Sequence, residues 1–125
     1  MTVLIDTHGW IEYWKGGEKA EDIAIYIEGN EEIIVSTINL LEIEYWLSKH
    51  FGPSVAKNKL QVVMKRSFVI EVDEEIVKEA SKLRITYKLP LISSIILATA
   101  RKYKARIVTG DSKLKDYDEV IYIGD

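Results

Sequence analysis

The 125-residue chain contains no cysteine, and its only histidines are His8 and His50. A disulfide framework and a thiolate zinc site are therefore excluded, and a histidine-rich metal site is not expected. Any metal ion that this chain binds has to be held by oxygen atoms.

Long hydrophobic runs are also missing. No apolar segment reaches the roughly 18 residues that a membrane span requires. The N-terminal segment MTVLID meets an acidic residue too early to be a signal peptide. We therefore expect a soluble, cytoplasmic protein that does not enter a membrane.

Excess positive charge is absent too, because the formal net charge is −3. This charge balance argues against a generally cationic surface that coats nucleic acid, although it leaves room for a local basic patch.

With 47% apolar residues, the chain can bury a core without disulfides or a structural metal. We expect one domain over residues 1–125.

Short β-branched runs alternate with longer helical patterns along the whole chain. This alternation predicts an α/β fold, a single domain whose parallel sheet of about five strands has helices on both faces. The predicted strands cover 3–5, 33–35, 68–72, 106–108 and 120–123. The predicted helices cover 8–15, 18–28, 37–50, 53–66, 74–87 and 92–103, with a turn near 112–116.

Carboxylates follow several of the predicted strands, and the most sharply placed are Asp6 after the first and Asp111 after the fourth. Each could be the N-cap of the element that follows it. In an open parallel sheet, however, ligands bind beyond the carboxyl ends of the strands, where the strand order reverses. Two carboxylates that meet there could share a divalent ion such as Mg²⁺ or Mn²⁺.

The helix after the second strand contains NLLEIEYWL, in which Glu42 and Glu44 lie among apolar residues. At about 100° per residue the two acids point roughly 160° apart, so only one can face a given crevice. Helical spacing does not decide which one, and either acid could instead pair with a nearby lysine.

The segment LPLISSIILATA carries two adjacent hydroxyls, Ser93 and Ser94, near the start of a predicted helix. From the sequence alone, the simplest prediction is that they cap its free N–H groups.

Taken together, four segments resemble the PIN domain, the ribonuclease fold of VapC-type toxins in toxin–antitoxin pairs. They are VLIDTHGWIEYW, VSTINLLEIEYW, LPLISSIILATA and IVTGDSKL, in the family's order and at plausible spacing. The resemblance implies a parallel sheet with an acidic cluster that holds Mg²⁺ or Mn²⁺ and cleaves single-stranded RNA.

The resemblance also implies a role for individual residues. Asp6, Glu42 and Asp111 would be the catalytic, metal-holding acids, which selects Glu42 over Glu44. Thr109 and Thr7 would support them.

This chain lacks an acid at two positions where the family resemblance implies one. Ser93 stands where the family's third acid is expected, and Lys113 stands where some members have a further acid. Asp116, in the following turn, could compensate. We therefore predict a metal-dependent endoribonuclease of the VapC toxin type that is weakened by Ser93. The alternative is a nuclease-impaired PIN-fold module that binds an antitoxin-like partner or RNA.

Partners follow from the same resemblance. A VapC-like chain implies a homodimer that is silenced by a VapB-like antitoxin. The aromatic first helix and the helix containing LLEIEYWL are the predicted contact surfaces. Trp10, Tyr13 and Trp14 of the first helix are expected to be either core residues or dimer contacts.

Overall fold

The chain folds into five β-strands and six α-helices, with two helices after each of the first three strands, and the computed structural model describes all residues 1–125. The strands are β1 (Thr2–Ile5), β2 (Glu32–Ser36), β3 (Phe68–Ile70), β4 (Arg106–Thr109) and β5 (Val120–Tyr122). The helices are α1 (Thr7–Lys15), α2 (Glu18–Ile27), α3 (Thr37–Phe51), α4 (Pro53–Arg66), α5 (Glu74–Tyr87) and α6 (Leu91–Tyr103). A 3₁₀ turn at Ser112–Leu114 follows β4.

All five strands are parallel and form one sheet in the order β3-β2-β1-β4-β5. The predicted α/β architecture is confirmed. The third strand is shorter than predicted, because Ile70 pairs with Ser36 and the chain of β2 turns into α3 immediately afterwards. Residues 71 and 72 therefore have no neighbouring strand to pair with.

Hydrophobic residues fill both faces of the sheet. Along β1, Val3 and Ile5 point to one face and Leu4 to the other, as the two-residue period of a strand requires. The first face packs under α1 to α4 and the second under α5 and α6, because the apolar residues of those helices belong to the corresponding clusters. The sheet is thus covered on both sides, as expected for parallel strands.

The strand order reverses between β1 and β4, which are neighbours in the sheet. Their carboxyl ends therefore lie side by side at the edge where α/β proteins bind ligands. Helices α1 and α3 both begin at this edge, capped by Asp6 and Ser36. None of the helices is long and apolar enough to cross a lipid bilayer.

Candidate active site

A cleft of about 290 Å³ opens at the carboxyl edge of the sheet, beside the ends of β1 and β4. Residues from α1, α3, α6 and the loop after β4 line it. Its polar and charged lining side chains are Asp6, Thr7, His8, Asn39, Glu42, Ser93, Asp111 and Lys113.

Asp6 lies at the bottom of this cleft and is only 5% exposed. Its Oδ1 accepts a hydrogen bond of 3.0 Å from the backbone N–H of Gly9, which makes Asp6 the N-cap of α1. Its Oδ2 accepts a hydrogen bond from the Thr109 hydroxyl. Asp6 therefore has the structural role that its position predicts, and it also faces the cleft.

Burial raises the pKa of the Asp6 carboxyl from 3.8 to about 6. Desolvation is the main cause, and the negative charge of Asp111 adds to it. The hydrogen bonds from Thr109 and Gly9 and the nearby His8 partly oppose this rise. A cation in the cleft would relieve the same electrostatic cost.

Asp111 is joined to Asp6 through Thr109, the last residue of β4. The fully buried Thr109 hydroxyl donates to Asp6, and its oxygen accepts a hydrogen bond of 2.9 Å from the backbone N–H of Asp111. One threonine thus positions both strand-end aspartates. Asp111 Oδ1 also accepts a hydrogen bond of 2.9 Å from the backbone N–H of Lys113.

Ser93 and Ser94 do not cap α6, so that prediction is wrong. The helix begins one residue after Pro90 and has no side-chain cap, and both serines lie inside its first turn, where their hydroxyls donate. Ser93 donates to Oδ2 of Asp111 at 2.6 Å, and Ser94 donates to the carbonyl of Leu91 at 2.6 Å. Only Ser93 lines the cleft.

The two acids of α3 face different surfaces. Glu42 lines the cleft, and its Oε1 accepts a hydrogen bond of 2.7 Å from the Thr7 hydroxyl. Glu44 is exposed and lines a groove between α3 and α4, together with Leu60. The helix therefore sends one acid into the cleft and the other away from it.

Asn39 is a cleft residue that sequence reasoning missed. It is 1% exposed, and its Nδ2 donates a hydrogen bond of 3.2 Å to the Thr7 hydroxyl oxygen. The available sequence signal was local: Asn39 is the third residue of α3 and forms a reciprocal capping arrangement with Ser36. Its link to Thr7 depends on how α1 and α3 pack together.

The structure does not bring Asp116 into the cleft. Its side chain is exposed and lies outside the cleft lining. Exposed Lys113 does border the cleft, so the side chain that enters this part of the site is basic rather than acidic.

The donor set consists of oxygen atoms and suits a hard divalent cation. None of the structure's ion pairs involves Asp6, Glu42 or Asp111, so none of these three acids forms a salt bridge. No three His, Cys, Asp or Glu side chains converge closely enough to hold an ion among themselves. The oxygen donors present are of the kind that suits a hard divalent cation that keeps several of its water ligands.

Comparison with known sequences identifies one family. The sequence model of the PIN domain matches residues 3–120, nearly the whole chain. The comparison with curated protein sequences gave no significant match.

Solved structures with the same fold include toxin–antitoxin proteins. A toxin–antitoxin complex from Klebsiella pneumoniae superposes with a TM-score of 0.82 at 21% identity, covering 98% of this chain and 98% of that chain. VapBC2 from Rickettsia felis, bound to a DNA fragment from its promoter, gives 0.77 at 20% identity and covers 98% and 97%. VapC20 from Mycobacterium tuberculosis, a sarcin-ricin loop cleaving toxin, gives 0.73 at 15% identity and covers 94% and 98%. At these identities the likeness establishes the fold.

Proposed function

The chain belongs to the PIN domain family, and from that premise we propose that it is a metal-dependent endoribonuclease of the VapC toxin type. Its substrate would be single-stranded RNA in the cytoplasm. Its activity would be weakened because Ser93 stands where the family has an aspartate.

One observation carries this proposal. Asp6 and Asp111 lie at adjacent strand ends, both are hydrogen-bonded to Thr109, and neither forms a salt bridge. Buried carboxylates are normally neutralised by a cation or by a proton. Here the pKa of Asp6 rises only to about 6, so at neutral pH the carboxylate is mostly charged and available as a ligand.

Each residue then has a role. Asp6 and Asp111 would hold Mg²⁺ or Mn²⁺, and Glu42 would bind the ion through a water molecule or orient one of its ligands. A divalent cation held there supplies a Lewis acid that lowers the pKa of a bound water and stabilises charge on the phosphodiester. Thr109 and Thr7 keep the acids in place, and Ser93 holds Oδ2 of Asp111 through its hydroxyl.

Ser93 supports a second candidate function. A hydroxyl is a neutral, weaker ligand than a carboxylate, so the site has one negative charge fewer than the family pattern provides. Such a chain could retain the fold and bind an antitoxin-like partner or RNA without cleaving it.

The α3 face suits a partner protein. Leu41 and Tyr45 are 65% and 67% exposed, and they border the groove between α3 and α4. The α1 helix offers less than predicted, because Trp10 is fully buried and Tyr13 and Trp14 pack partly against the same core. We propose that a VapB-like antitoxin binds along α3 and that the protein is a homodimer.

The test is cleavage of single-stranded RNA by the purified protein with Mg²⁺ or Mn²⁺. Asp6→Asn should abolish cleavage, and EDTA should do the same to the parent protein. Asp22→Asn is the matched control, because Asp22 is an exposed acid on α2 outside the cleft. Cleavage by Asp6→Asn at the parent rate would refute the nuclease assignment. RNA binding without metal-dependent cleavage would favour the second candidate.

A further inference from the structure

Asn39 is a buried polar residue of the cleft to which the proposed chemistry gives no role. Its side chain connects two elements. Oδ1 accepts a hydrogen bond of 3.4 Å from the backbone N–H of Ser36, at the start of α3. Nδ2 donates a hydrogen bond of 3.2 Å to the hydroxyl oxygen of Thr7, on α1.

The contact with Ser36 fixes which end of the amide faces Thr7. A backbone N–H can only donate, so the atom opposite it has to be the amide oxygen. The NH₂ group of Asn39 then points to Thr7 and occupies a lone pair of its hydroxyl oxygen. The Thr7 proton has to point elsewhere, and Glu42 Oε1 accepts it at 2.7 Å.

The result is a relay in which every hydrogen bond runs in the same direction. Ser36 donates to Asn39, Asn39 to Thr7, and Thr7 to Glu42. Bonds aligned in this way polarise and strengthen one another. The relay engages Oε1 of the half-buried Glu42, and Oε2 has no hydrogen-bond partner within the protein.

We propose that Asn39 is the positioning residue for Glu42. It sets the direction of the Thr7 hydroxyl and thereby holds the Glu42 carboxylate in the cleft as a charged acceptor. The catalytic consequence rests on the proposed function, whereas the relay itself does not.

Asn39→Asp is the sharpest variant. Aspartate has nearly the size of asparagine and still accepts from the Ser36 N–H, but it cannot donate to Thr7. The Thr7 proton should then turn to the new carboxylate, and Glu42 should lose its donor. Asn58→Asp is the matched control, because it adds the same charge at an exposed position of α4.

The first measurement is a double-mutant cycle on unfolding in urea, without metal or RNA. Thr7→Val and Glu42→Gln are made singly and together in three backgrounds: the parent, Asn39→Asp and Asn58→Asp. We expect favourable coupling between Thr7 and Glu42 in the parent and in Asn58→Asp, and its loss in Asn39→Asp.

A purely structural role for Asn39 would lower the free energy of unfolding without changing this coupling, so unchanged coupling overturns the proposal. If Asn39→Asp does not fold, Asn39→Ala takes its place, with a reduced coupling expected and an unchanged one overturning the proposal.

The second measurement is RNA cleavage at saturating Mn²⁺. Asn39→Asp should lower kcat about tenfold or more, the rate equivalent of one hydrogen bond to a charged group. Loss of coupling in a protein that cleaves no RNA would support the relay and refute the nuclease assignment. Unchanged coupling and unchanged kcat in an active nuclease would refute the relay alone.

Discussion

Ser93 donates a hydrogen bond of 2.6 Å from its hydroxyl to Oδ2 of Asp111, across the cleft between α6 and the loop after β4. The serine at which the resemblance to the PIN domain implies an acid is therefore in contact with Asp111. It supplies a hydrogen-bond donor at a position where that resemblance implies a further carboxylate.

Replacing this donor by an acid should change the metal affinity. Ser93→Asp adds a ligand and a negative charge beside Asp111, so we expect Mn²⁺ to bind about tenfold or more tightly. Without metal, the two adjacent carboxylates should repel each other and lower the free energy of unfolding by about 1–3 kcal/mol. Calorimetric titration with Mn²⁺ and urea unfolding in EDTA measure the two effects.

The neighbouring serine provides the control for this prediction. Ser94→Ala removes a buried hydroxyl that bonds only to the Leu91 carbonyl. It should leave Mn²⁺ affinity unchanged, whereas Ser93→Ala should alter it by freeing Asp111. If Ser93→Asp binds Mn²⁺ no better than the parent, Ser93 lies outside the metal cluster.

The raised pKa of Asp6 predicts how stability depends on pH. A carboxyl whose folded-state pKa is about 6, above its ordinary 3.8, favours folding below pH 3.8, and this contribution is lost as the pH rises through 6. Considering this group alone, the metal-free protein should become more stable as the pH is lowered from 7.5 to 5. The full effect is at most about 3 kcal/mol, from a shift of about two pKa units.

Asp6→Asn isolates this contribution, because asparagine does not titrate. Both proteins are unfolded by urea in EDTA. The unfolding free energy of the variant minus that of the parent should be more positive at pH 7.5, where the parent carries the buried charge, than at pH 5. Added Mn²⁺ should reverse the order at pH 7.5 by stabilising only the parent. A difference independent of pH would show that Asp6 has an ordinary pKa.

Gly9 has no side chain, so α1 can pack close to the sheet, and this close packing determines how deeply Asp6 is buried in the cleft. A Cβ at this position would lie 2.6 Å from Cγ2 of Ile5 and 3.3 Å from the Val108 carbonyl oxygen. Gly9→Ala should therefore push the start of α1 outward and cost about 1–3 kcal/mol of stability. Gly17→Ala is the control, because a Cβ there has no heavy atom within 4 Å. Thermal unfolding of the two variants tests the difference, and equal melting temperatures would contradict it.

The elements of this fold were predictable because each has a strong local signal. The β-branched runs marked the strands, and the predicted break between helices 37–50 and 53–66 matches the junction of α3 and α4. The position of Asp6 and Asp111 at one edge also followed from the predicted parallel sheet.

The contacts inside the cleft could not be predicted in the same way. Thr7 and Glu42 are 35 residues apart, and Ser93 and Asp111 are 18 apart. These bonds depend on how the helices pack against the sheet. The cap predicted for the serines failed because α6 begins at Leu91 with Pro90 as its N-cap, so the two serines lie three and four residues beyond the position from which a side chain caps a helix.

Thr109 gives the most direct test of how the two aspartates are held. Thr109→Val keeps the shape of the side chain but removes the hydroxyl that donates to Asp6 and the oxygen that accepts from the Asp111 N–H. The pKa of Asp6 should rise further, because the Thr109 hydrogen bond is the largest influence that lowers it. Protons then compete more strongly with the metal, so Mn²⁺ binding should weaken and should require a higher pH.

Thr99→Val is the control, because it removes a second fully buried threonine hydroxyl, which donates to the Ile95 carbonyl outside the cleft. The measurement is Mn²⁺ affinity by calorimetry from pH 5.5 to pH 8. Equal affinities for the two variants across that range would mean that the Thr109 hydroxyl does not hold the aspartates for metal.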